Sequence, residues 1–160
     1  MDIDLNLTRL ETADIPRLME VSGSAGWATT AGTWGALLGV DCGAFYGHRS
    51  AGGEIVSSAG VFNYGGLASL AMVLVKPAYR ERGLARELIK HCLAQLPPTA
   101  PVMLVATELG LPLYTRLGFK TVGETHRMFL AGSTVRPIYA ACASSIPMTC
   151  LQLHSIPRSG

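Results

Sequence analysis

The chain has 160 residues, the size of one ordinary domain, so it can bury one sizeable core but not two. Lys plus Arg is 13 and Asp plus Glu is 11, and the formal net charge of +2 is too small to indicate a nucleic-acid groove or an anionic membrane surface. Only 15% of the residues are charged and the mean hydropathy is +0.32, which excludes a disordered chain and favours self-association.

The sequence predicts neither a membrane span nor a secretory leader. The longest apolar stretch, residues 67–75, is far shorter than the roughly 20 residues that a spanning helix needs. Asp2 and Asp4 do not fit the basic start of a signal peptide. The cysteines have no CxxC spacing and no nearby histidine pairs, so we predict free thiols in a reducing cytosol and no bound metal. The four cysteines are Cys42, Cys92, Cys142 and Cys150.

Hydrophobic periodicity predicts an α/β protein with one strand–helix–strand crossover. Asp14 is a plausible N-cap for the first helix, and residues 50–53 have the composition of a hairpin turn. The apolar run 67–75 is typical of a strand buried on both faces. In chain order, the predicted elements are a strand over 4–9, helices over 14–22 and 31–38, strands over 42–49, 54–63 and 67–75, an amphipathic helix from 83 that ends before the prolines at 97 and 98, a strand over 101–107, a helix over 110–117 and a strand over 119–130.

Residues 131–160 differ in composition from the rest of the chain. Their only formally charged residues are Arg136 and Arg158. We expect this apolar tail to supply a last strand, over 149–154, or a contact with a second copy of the chain. The predicted organisation is therefore one α/β domain over residues 1–130 followed by the tail over 131–160. An alternative is an enzyme fragment whose acceptor site lies on a further C-terminal domain.

The most informative segment is the basic turn that follows the strand over 67–75. Unpaired N–H groups at the start of a helix bind anions, and Gly83 would let a phosphate approach the backbone closely. The segment contains neither a GxxxxGK[ST] P-loop nor a GxGxxG dinucleotide turn. An ordinary solvated charged turn is the alternative interpretation. The segment reads Val73-Leu74-Val75-Lys76-Pro77-Ala78-Tyr79-Arg80-Glu81-Arg82-Gly83-Leu84-Ala85-Arg86.

The spacing Arg80-x-x-Gly83-x-Ala85 resembles the pyrophosphate loop of the GNAT-type N-acetyltransferases, in which Gln or Arg is followed by two residues, Gly, one residue, and Gly or Ala. A second segment, Leu113-Tyr114-Thr115-Arg116-Leu117-Gly118-Phe119, resembles the family's tyrosine helix followed by Gly-Phe. The resemblance covers roughly residues 3–130. It implies a mixed central β-sheet with helices on both faces, and a splayed parallel pair of strands, 67–75 and 101–107, between which the acyl donor enters.

The resemblance also implies acetyl-CoA as co-substrate, a primary amine as acceptor, and no metal. Backbone groups of Val73 and Val75 would pair with the pantetheine arm, and Tyr114 would donate a proton to the leaving sulfur. A strand amide near Val73 would polarise the thioester carbonyl. The amides from Glu81 to Arg86 would hold the pyrophosphate. The residues implied for cofactor binding are Val73, Val75, Arg80, Glu81, Arg82, Gly83, Leu84, Ala85 and Arg86.

The sequence does not identify the general base. Many relatives carry a carboxylate on the strand equivalent to 67–75, and this run has none. Glu108 is the nearest carboxylate in sequence to the expected site, and the further candidates are Asp41, His48 and Glu54. Thr107 and Gly110 also depart from the family, which commonly has Asn and Ala at these places.

Two functions therefore stay open. The first is a cytoplasmic N-acetyltransferase, a possible homodimer, that transfers acetyl by direct attack of an amine in a ternary complex. The second is a non-catalytic acyl-CoA-binding sensor or scaffold, which the missing strand carboxylate favours. Five aromatic side chains belong either to the core or to an acceptor pocket: Trp27, Trp34, Phe45, Phe62 and Tyr64.

Overall fold

The computed structural model describes residues 4–129 and 144–154. These residues divide into two compact units. The first contains residues 4–102 and His154, and the second contains residues 103–129 and 144–153. Of the tail predicted over 131–160, residues 131–143 and 155–160 lie outside the described residues.

Four antiparallel strands form the sheet of the first unit, and their order in space follows their order in the chain. The strands are β1 (Leu5–Leu10), β2 (Gly43–Ser50), β3 (Ser57–Asn63) and β4 (Ala68–Val75). The hairpin turn predicted at 50–53 is confirmed, because the Ser50 N–H donates to the Glu54 carbonyl at 2.9 Å and the Gly53 N–H donates to the Ser50 carbonyl at 2.8 Å. This turn joins β2 to the segment that leads into β3.

Three helices belong to the first unit: α1 (Ile15–Ser24), α2 (Ala31–Leu38) and α3 (Leu84–Ala94). The bounds predicted for α2 are confirmed, and the Thr30 hydroxyl caps it by accepting from the Thr33 N–H at 3.1 Å. Asp14 is the N-cap residue of α1, as predicted, but its carboxylate makes no capping bond to this helix. Instead it accepts from the Glu11 N–H at 3.1 Å and from Arg49 Nη2 at 2.8 Å, since Asp14 ends a short 3₁₀ turn that precedes α1.

Aromatic side chains form the centre of the first unit's core. Trp34, Phe45 and Phe62 are buried and meet edge to face, with ring centroids 5.6 Å apart in each consecutive pair. Trp27 is half-buried and packs against the same cluster. Tyr64 differs, because it is 58% exposed and stacks on Phe62. Of the five aromatics considered for an acceptor pocket, three are therefore core residues.

The strand that is buried on both faces is β3 and not β4, for which the sequence predicted it. Every residue of β3 except Asn63 is buried, so β3 is the strand enclosed on both faces. In β4 only Ala68, Leu70 and Leu74 are buried, and the other residues are half-buried. The prediction of a fully enclosed strand over 67–75 is therefore wrong, because an apolar run does not by itself reveal which atoms neighbouring elements cover.

The second unit contains most of β5 (Val102–Ala106), a short helix α4 (Leu111–Arg116), β6 (Lys120–Phe129) and β7 (Ser144–Leu153). These strands are ordered β5-β7-β6, and β6 pairs with β7 in antiparallel fashion. Gly118 has φ of 92° just after α4, which is the conformation that a glycine after a helix commonly adopts. The strand predicted over 149–154 is longer in the structure, because β7 begins five residues before that range.

Candidate active site

The basic turn after β4 leads directly into α3. A short 3₁₀ turn, Pro77–Tyr79, is followed by two residues with left-handed backbone conformations, Glu81 with φ of 63° and Gly83 with φ of 81°. Gly83 is the N-cap of α3 and offers no side chain to its free amides. A Cβ built on Gly83 would have no atom within 4 Å, so the space in front of this backbone is open.

The turn presents a continuous series of unpaired N–H donors. Within the described residues, the amides of residues 81–86 donate no hydrogen bond to the backbone or to a side chain. The Glu87 N–H is the next amide along the chain, and it donates to the Gly83 carbonyl at 3.0 Å. Free donors at a helix N-terminus, together with the helix dipole, form an anion-binding site. This geometry is suited to a phosphate or pyrophosphate group.

A polar network fixes the start of the turn. Lys76 Nζ donates to Glu54 Oε1 at 2.8 Å and lies 3.5 Å from Glu20 Oε2, while the Tyr79 hydroxyl donates to Glu54 Oε2 at 3.1 Å. The Lys76 hydrogen bond lowers the pKa of the Glu54 carboxyl, and the Tyr79 hydrogen bond adds to this against the opposing effect of burial. The Arg82 guanidinium lies 5.4 Å from the centroid of the Tyr79 ring, which is a cation–π contact.

The arginines of the turn also fold back onto it. Arg80 Nε donates to the Val75 carbonyl at 3.2 Å, and Arg82 Nη2 donates to the Ala78 carbonyl at 3.4 Å. Arg86 is exposed in the first turn of α3. The positive charge of the turn is therefore concentrated beside its free amides, which strengthens the attraction for an anion.

β4 contains a bulge in its second half. Ser58 pairs with Leu74 and Gly60 pairs with Ala71, so two residues of β4, Met72 and Val73, face the single residue Ala59 of β3. Met72 has φ of 51°, a left-handed conformation that costs about 1 to 2 kcal/mol for a residue with a Cβ. The Ser58 hydroxyl donates to the Met72 carbonyl at 2.9 Å.

The bulge sets the direction of one amide. The peptide bond between Met72 and Val73 is trans and planar, so its C=O and N–H point in opposite directions. Because the Met72 carbonyl points to the Ser58 hydroxyl, the Val73 N–H points away from that hydroxyl. Ser58 and Met72 were missed by sequence reasoning, although a pair of serines within the apolar segment 55–62 was a visible signal.

His48 connects the sheet to the first turn of α3. Its side chain is 2% exposed, Nδ1 lies 2.8 Å from Ser57 Oγ, and Nε2 lies 3.2 Å from Glu87 Oε2. Ser57 Oγ also accepts from the His48 N–H at 3.1 Å, so its own hydrogen is available to Nδ1. This arrangement favours the tautomer in which Nε2–H donates to Glu87.

Four groups were candidates for the general base, and their surroundings differ. Both ring nitrogens of His48 are hydrogen-bonded and its side chain is buried, so it is not accessible to a substrate amine. The Lys76 hydrogen bond lowers the pKa of the Glu54 carboxyl, which makes it a weaker base than an ordinary glutamate. Asp41 lies exposed in the turn before β2. Glu108 lies exposed in the turn between β5 and α4.

Tyr114 lies on α4 in the second unit and is 7% exposed. Its ring packs edge to face against Phe119, with centroids 5.8 Å apart, and within the described residues its hydroxyl makes no hydrogen bond. Burial raises the pKa of the Tyr114 hydroxyl well above its ordinary value of 10.0, so the group stays protonated at neutral pH. A Cβ built on Gly110 would lie 3.1 Å from Tyr114 Cε2, so the ring rests closely on the start of the helix.

Two further properties concern metals and membranes. Among residues 4–129 and 144–154, no cluster of three or more His, Cys, Asp or Glu side chains is arranged to hold a metal ion. No helix within these same ranges has the length and hydropathy required to cross a bilayer.

The fold and the turn define an α/β domain with an anion-binding helix N-terminus. The family model for the acetyltransferase (GNAT) domain matches residues 44–129, which is more than half of the chain. The chain therefore belongs to the GNAT acetyltransferase domain family. The uncharacterized N-acetyltransferase YitH of Bacillus subtilis (strain 168) is 34% identical over 127 residues, which are 79% of this chain and 45% of the relative. The chain thus spans less than half the length of this relative.

Solved structures confirm the predicted fold class. The ribosomal-protein-S18-alanine N-acetyltransferase from Escherichia coli superposes with a TM-score of 0.77 at 18% identity, covering 98% of this chain and 97% of that one. Arabidopsis thaliana NAA60 in complex with acetyl-CoA superposes with a TM-score of 0.71 at 14% identity, covering 94% and 98%. At these sequence identities the likeness shows the fold alone. That fold is of the α/β class with a mixed sheet and helices, as the sequence predicted.

Proposed function

We propose that this chain is an acetyl-CoA-dependent N-acetyltransferase that acetylates a primary amine by direct attack in a ternary complex. The observation that carries the proposal is the series of unpaired amides over residues 81–86, which surrounds a glycine with open space before its backbone. Family membership through residues 44–129 supports the same activity.

The turn fits the pyrophosphate of acetyl-CoA in charge and in donor chemistry. The amides of residues 81–86 bind the phosphate oxygens, and the backbone of Val73 and Val75 pairs with the pantetheine arm. Both valines are half-buried, so their main chain is not fully enclosed. The open space at Gly83 is the part of the turn that a side chain would fill. The full set of residues proposed to hold the co-substrate is Val73, Val75, Arg80, Glu81, Arg82, Gly83, Leu84, Ala85 and Arg86.

When bound, acetyl-CoA supplies the activated acetyl group, and the chain supplies hydrogen bonds and proton transfers. The Val73 N–H polarises the thioester carbonyl, as oxyanion donors do. Glu108, through a water molecule, accepts the proton that the attacking amine loses as its bond to the acetyl carbon forms. Tyr114, whose hydroxyl is protonated at neutral pH, donates a proton to the sulfur as the carbon–sulfur bond breaks.

A second function is favoured by one specific observation. β4 carries no titratable side chain, and Glu108, the base in the proposed mechanism, is exposed to solvent. A non-catalytic acyl-CoA-binding sensor or scaffold needs the turn but neither Glu108 nor Tyr114. Acetyl-CoA binding without acetylation of any primary amine would favour this function over the transferase.

The cellular compartment and the oligomeric state are further parts of the proposal. Cys42, Cys92 and Cys150 are free thiols, which suits a reducing cytosol. The low share of charged residues, 15%, and the mean hydropathy of +0.32 support self-association as a homodimer. Residues 1–130 form the acetyltransferase domain in this proposal, and residues 131–160 complete it or contact a second copy.

The test is calorimetric titration of the chain with acetyl-CoA, with CoA as the companion ligand. We expect saturable micromolar binding of both, because the turn recognises the part that they share. A chain that binds acetyl-CoA is then screened with primary amines by detection of the released thiol. A folded chain that binds neither ligand contradicts the proposal.

The matched variants are Gly83→Glu and Gly53→Glu. Both glycines have positive φ, 81° and 82°, and a Cβ added to either would have no atom within 4 Å, so both substitutions carry a similar backbone cost of about 1 to 2 kcal/mol. Only Gly83→Glu places a side chain and a negative charge in front of the free amides. We expect it to abolish acetyl-CoA binding and Gly53→Glu to retain it, whereas equal affinities would reject this turn as the phosphate site.

A further inference from the structure

Ser58 is a buried polar residue in the middle of β3, and it is 0% exposed. A hydroxyl in such a place must be hydrogen-bonded, since an unsatisfied buried group is costly. Its bond goes to the carbonyl of Met72 at 2.9 Å, which is the residue of β4 with the left-handed backbone. The hydroxyl therefore contacts the one peptide group that interrupts the regular pairing of β3 with β4.

Met72 lacks the local features that usually support a positive φ. It is neither glycine nor asparagine, and its side chain packs against the apolar core of the first unit. Support for the unusual backbone must therefore come from neighbouring elements. The bond from Ser58 supplies that support, because it satisfies the Met72 carbonyl at a position where the bulge disrupts the ladder.

Fixing the Met72 carbonyl also fixes the Val73 N–H, because the two groups belong to one planar peptide unit. We propose that Ser58 is a positioning residue for acetyl transfer, which holds the Met72–Val73 peptide so that the Val73 N–H is directed at the acyl carbonyl. This inference rests on the proposed function. Ser58 acts only through the backbone of β4 and touches neither substrate.

The neighbouring serine provides a contrast. Successive side chains of a strand point to opposite faces, so Ser57 lies on the face of β3 opposite Ser58. Ser57 bonds His48, which in turn bonds Glu87 in the first turn of α3. Ser58 therefore contacts the Met72–Val73 peptide, whereas Ser57 is linked through His48 to the start of α3. Loss of Ser58 should affect the hydrogen bond to the acyl carbonyl and should not affect phosphate binding by the turn.

The first experiment records the amide resonance of Val73 by ¹H–¹⁵N NMR in the wild-type chain. The probes are acetyl-CoA and CoA, which differ only in the acetyl group. We expect a larger downfield shift of the Val73 amide proton with acetyl-CoA than with CoA, because only acetyl-CoA carries the carbonyl acceptor. In Ser58→Ala this difference should shrink. A wild-type chain that binds both ligands with equal Val73 shifts overturns the inference, and this measurement requires no variant.

The second experiment compares the steady-state kinetics of Ser58→Ala and Ser22→Ala with the best amine from the screen. Ser22 is also 0% exposed, and its hydroxyl lies 3.1 Å from the main-chain carbonyls of Leu18 and Met19 and accepts from Trp34 Nε1 at 3.5 Å. Both variants lose a similar buried hydrogen bond. We expect kcat to fall about 10- to 100-fold in Ser58→Ala, because the Val73 N–H would no longer point at the acyl carbonyl. KM for acetyl-CoA should stay within about twofold of the wild-type value. Ser22→Ala should keep the wild-type kcat, and Ser58→Thr, which retains the hydroxyl, should recover activity.

The outcomes separate this inference from the proposed function. A wild-type chain that binds no acetyl-CoA overturns the proposed function and this inference with it. A wild-type chain that acetylates the amine, together with a Ser58→Ala variant of equal kcat, overturns the positioning role alone. Equal losses of kcat in Ser58→Ala and Ser22→Ala also overturn it, because they would assign the effect to general loss of packing.

Discussion

His48 Nε2 lies 3.2 Å from Glu87 Oε2, and this contact joins two residues that are 39 positions apart in the chain. It ties β2 to the first turn of α3, directly beside the amides over residues 81–86. Because the Glu87 side chain is 60% exposed, the bond is a modest one. Its role is to keep the start of α3 in place against the sheet.

The contact predicts an effect on affinity for acetyl-CoA. Glu87→Leu removes the acceptor and should raise the dissociation constant for acetyl-CoA about two- to fivefold, since a hydrogen bond to a largely exposed carboxylate contributes about 1 kcal/mol. Glu87→Gln also loses the charge but keeps an acceptor oxygen, so it should differ less from wild type. Calorimetry compares the two variants. Equal affinities in both would show that the hydrogen bond to His48 does not hold the helix start.

Tyr114→Phe should lower kcat with little effect on acetyl-CoA binding. The hydroxyl makes no hydrogen bond within the described residues, and the edge-to-face contact with Phe119 needs only the ring, so stability should be nearly unchanged. Loss of a general acid lowers turnover about 10²- to 10⁴-fold. The check is kcat with the best amine, beside the thermal midpoint of both proteins. Unchanged turnover in the variant would contradict the acid role.

Gly110→Ala tests whether the position of the Tyr114 ring determines the rate of acetyl transfer. The added Cβ would lie 3.1 Å from Tyr114 Cε2, closer than ordinary contact, so the ring must shift by a few tenths of an ångström. We expect kcat to fall about two- to tenfold, because small displacements of a reacting group are costly. Gly123→Ala is the matched control in the same unit, since nothing lies within 4 Å of its Cβ position. Equal kcat in both variants would argue against the ring position as a determinant of rate.

Asp14 makes stability depend on acid pH. Burial alone would raise the pKa of its carboxyl, but the Arg49 and Glu11 hydrogen bonds outweigh burial and lower it below 3.8. A lowered pKa stabilises the fold above the unfolded-state value, and the contribution is lost as pH falls through the folded-state value. Urea unfolding should therefore show a loss of stability below about pH 4. Asp14→Asn should be less stable by about 1 to 3 kcal/mol at pH 7 and less sensitive to acid. An equally steep acid dependence in the variant would contradict this.

The cysteines should differ strongly in reactivity. Burial raises the pKa of the Cys92 thiol to about 12, so at pH 8 only about one molecule in 10⁴ carries the reactive thiolate. Cys42 is exposed. Treatment with iodoacetamide at pH 8, followed by mass spectrometry, should modify Cys42 and spare Cys92, and both should react in urea. Equal rates for the two in the folded chain would show that α3 opens readily.

Local signals in the sequence were enough to predict most of the elements. The helix predicted over 31–38 has those bounds in the structure, where Thr30 caps it, and the basic turn was predicted from the spacing of Arg80 and Gly83 after an apolar strand. These features depend on residues close together in the chain. The positive φ of Gly83 agrees with its residue type.

The features that sequence reasoning missed arise from distant residues. Met72 has no local reason for its left-handed backbone, because the support comes from Ser58, 14 positions earlier. His48 resembled a candidate base until its partners, Ser57 and Glu87, were known. The burial of β4 likewise depends on its neighbours and not on its own composition. Pairing across a sheet and between a strand and a helix is not encoded in any one segment.

The network of Lys76, Glu54 and Tyr79 has a consequence for the kinetics of ligand capture. These side chains hold the basic turn in shape before any ligand arrives, so little conformational entropy is lost when an anion binds there. Association should then be governed by diffusion and long-range attraction to the arginines, and its rate should fall as ionic strength rises. A turn that folded around its ligand would instead associate slowly and with a strong dependence on temperature.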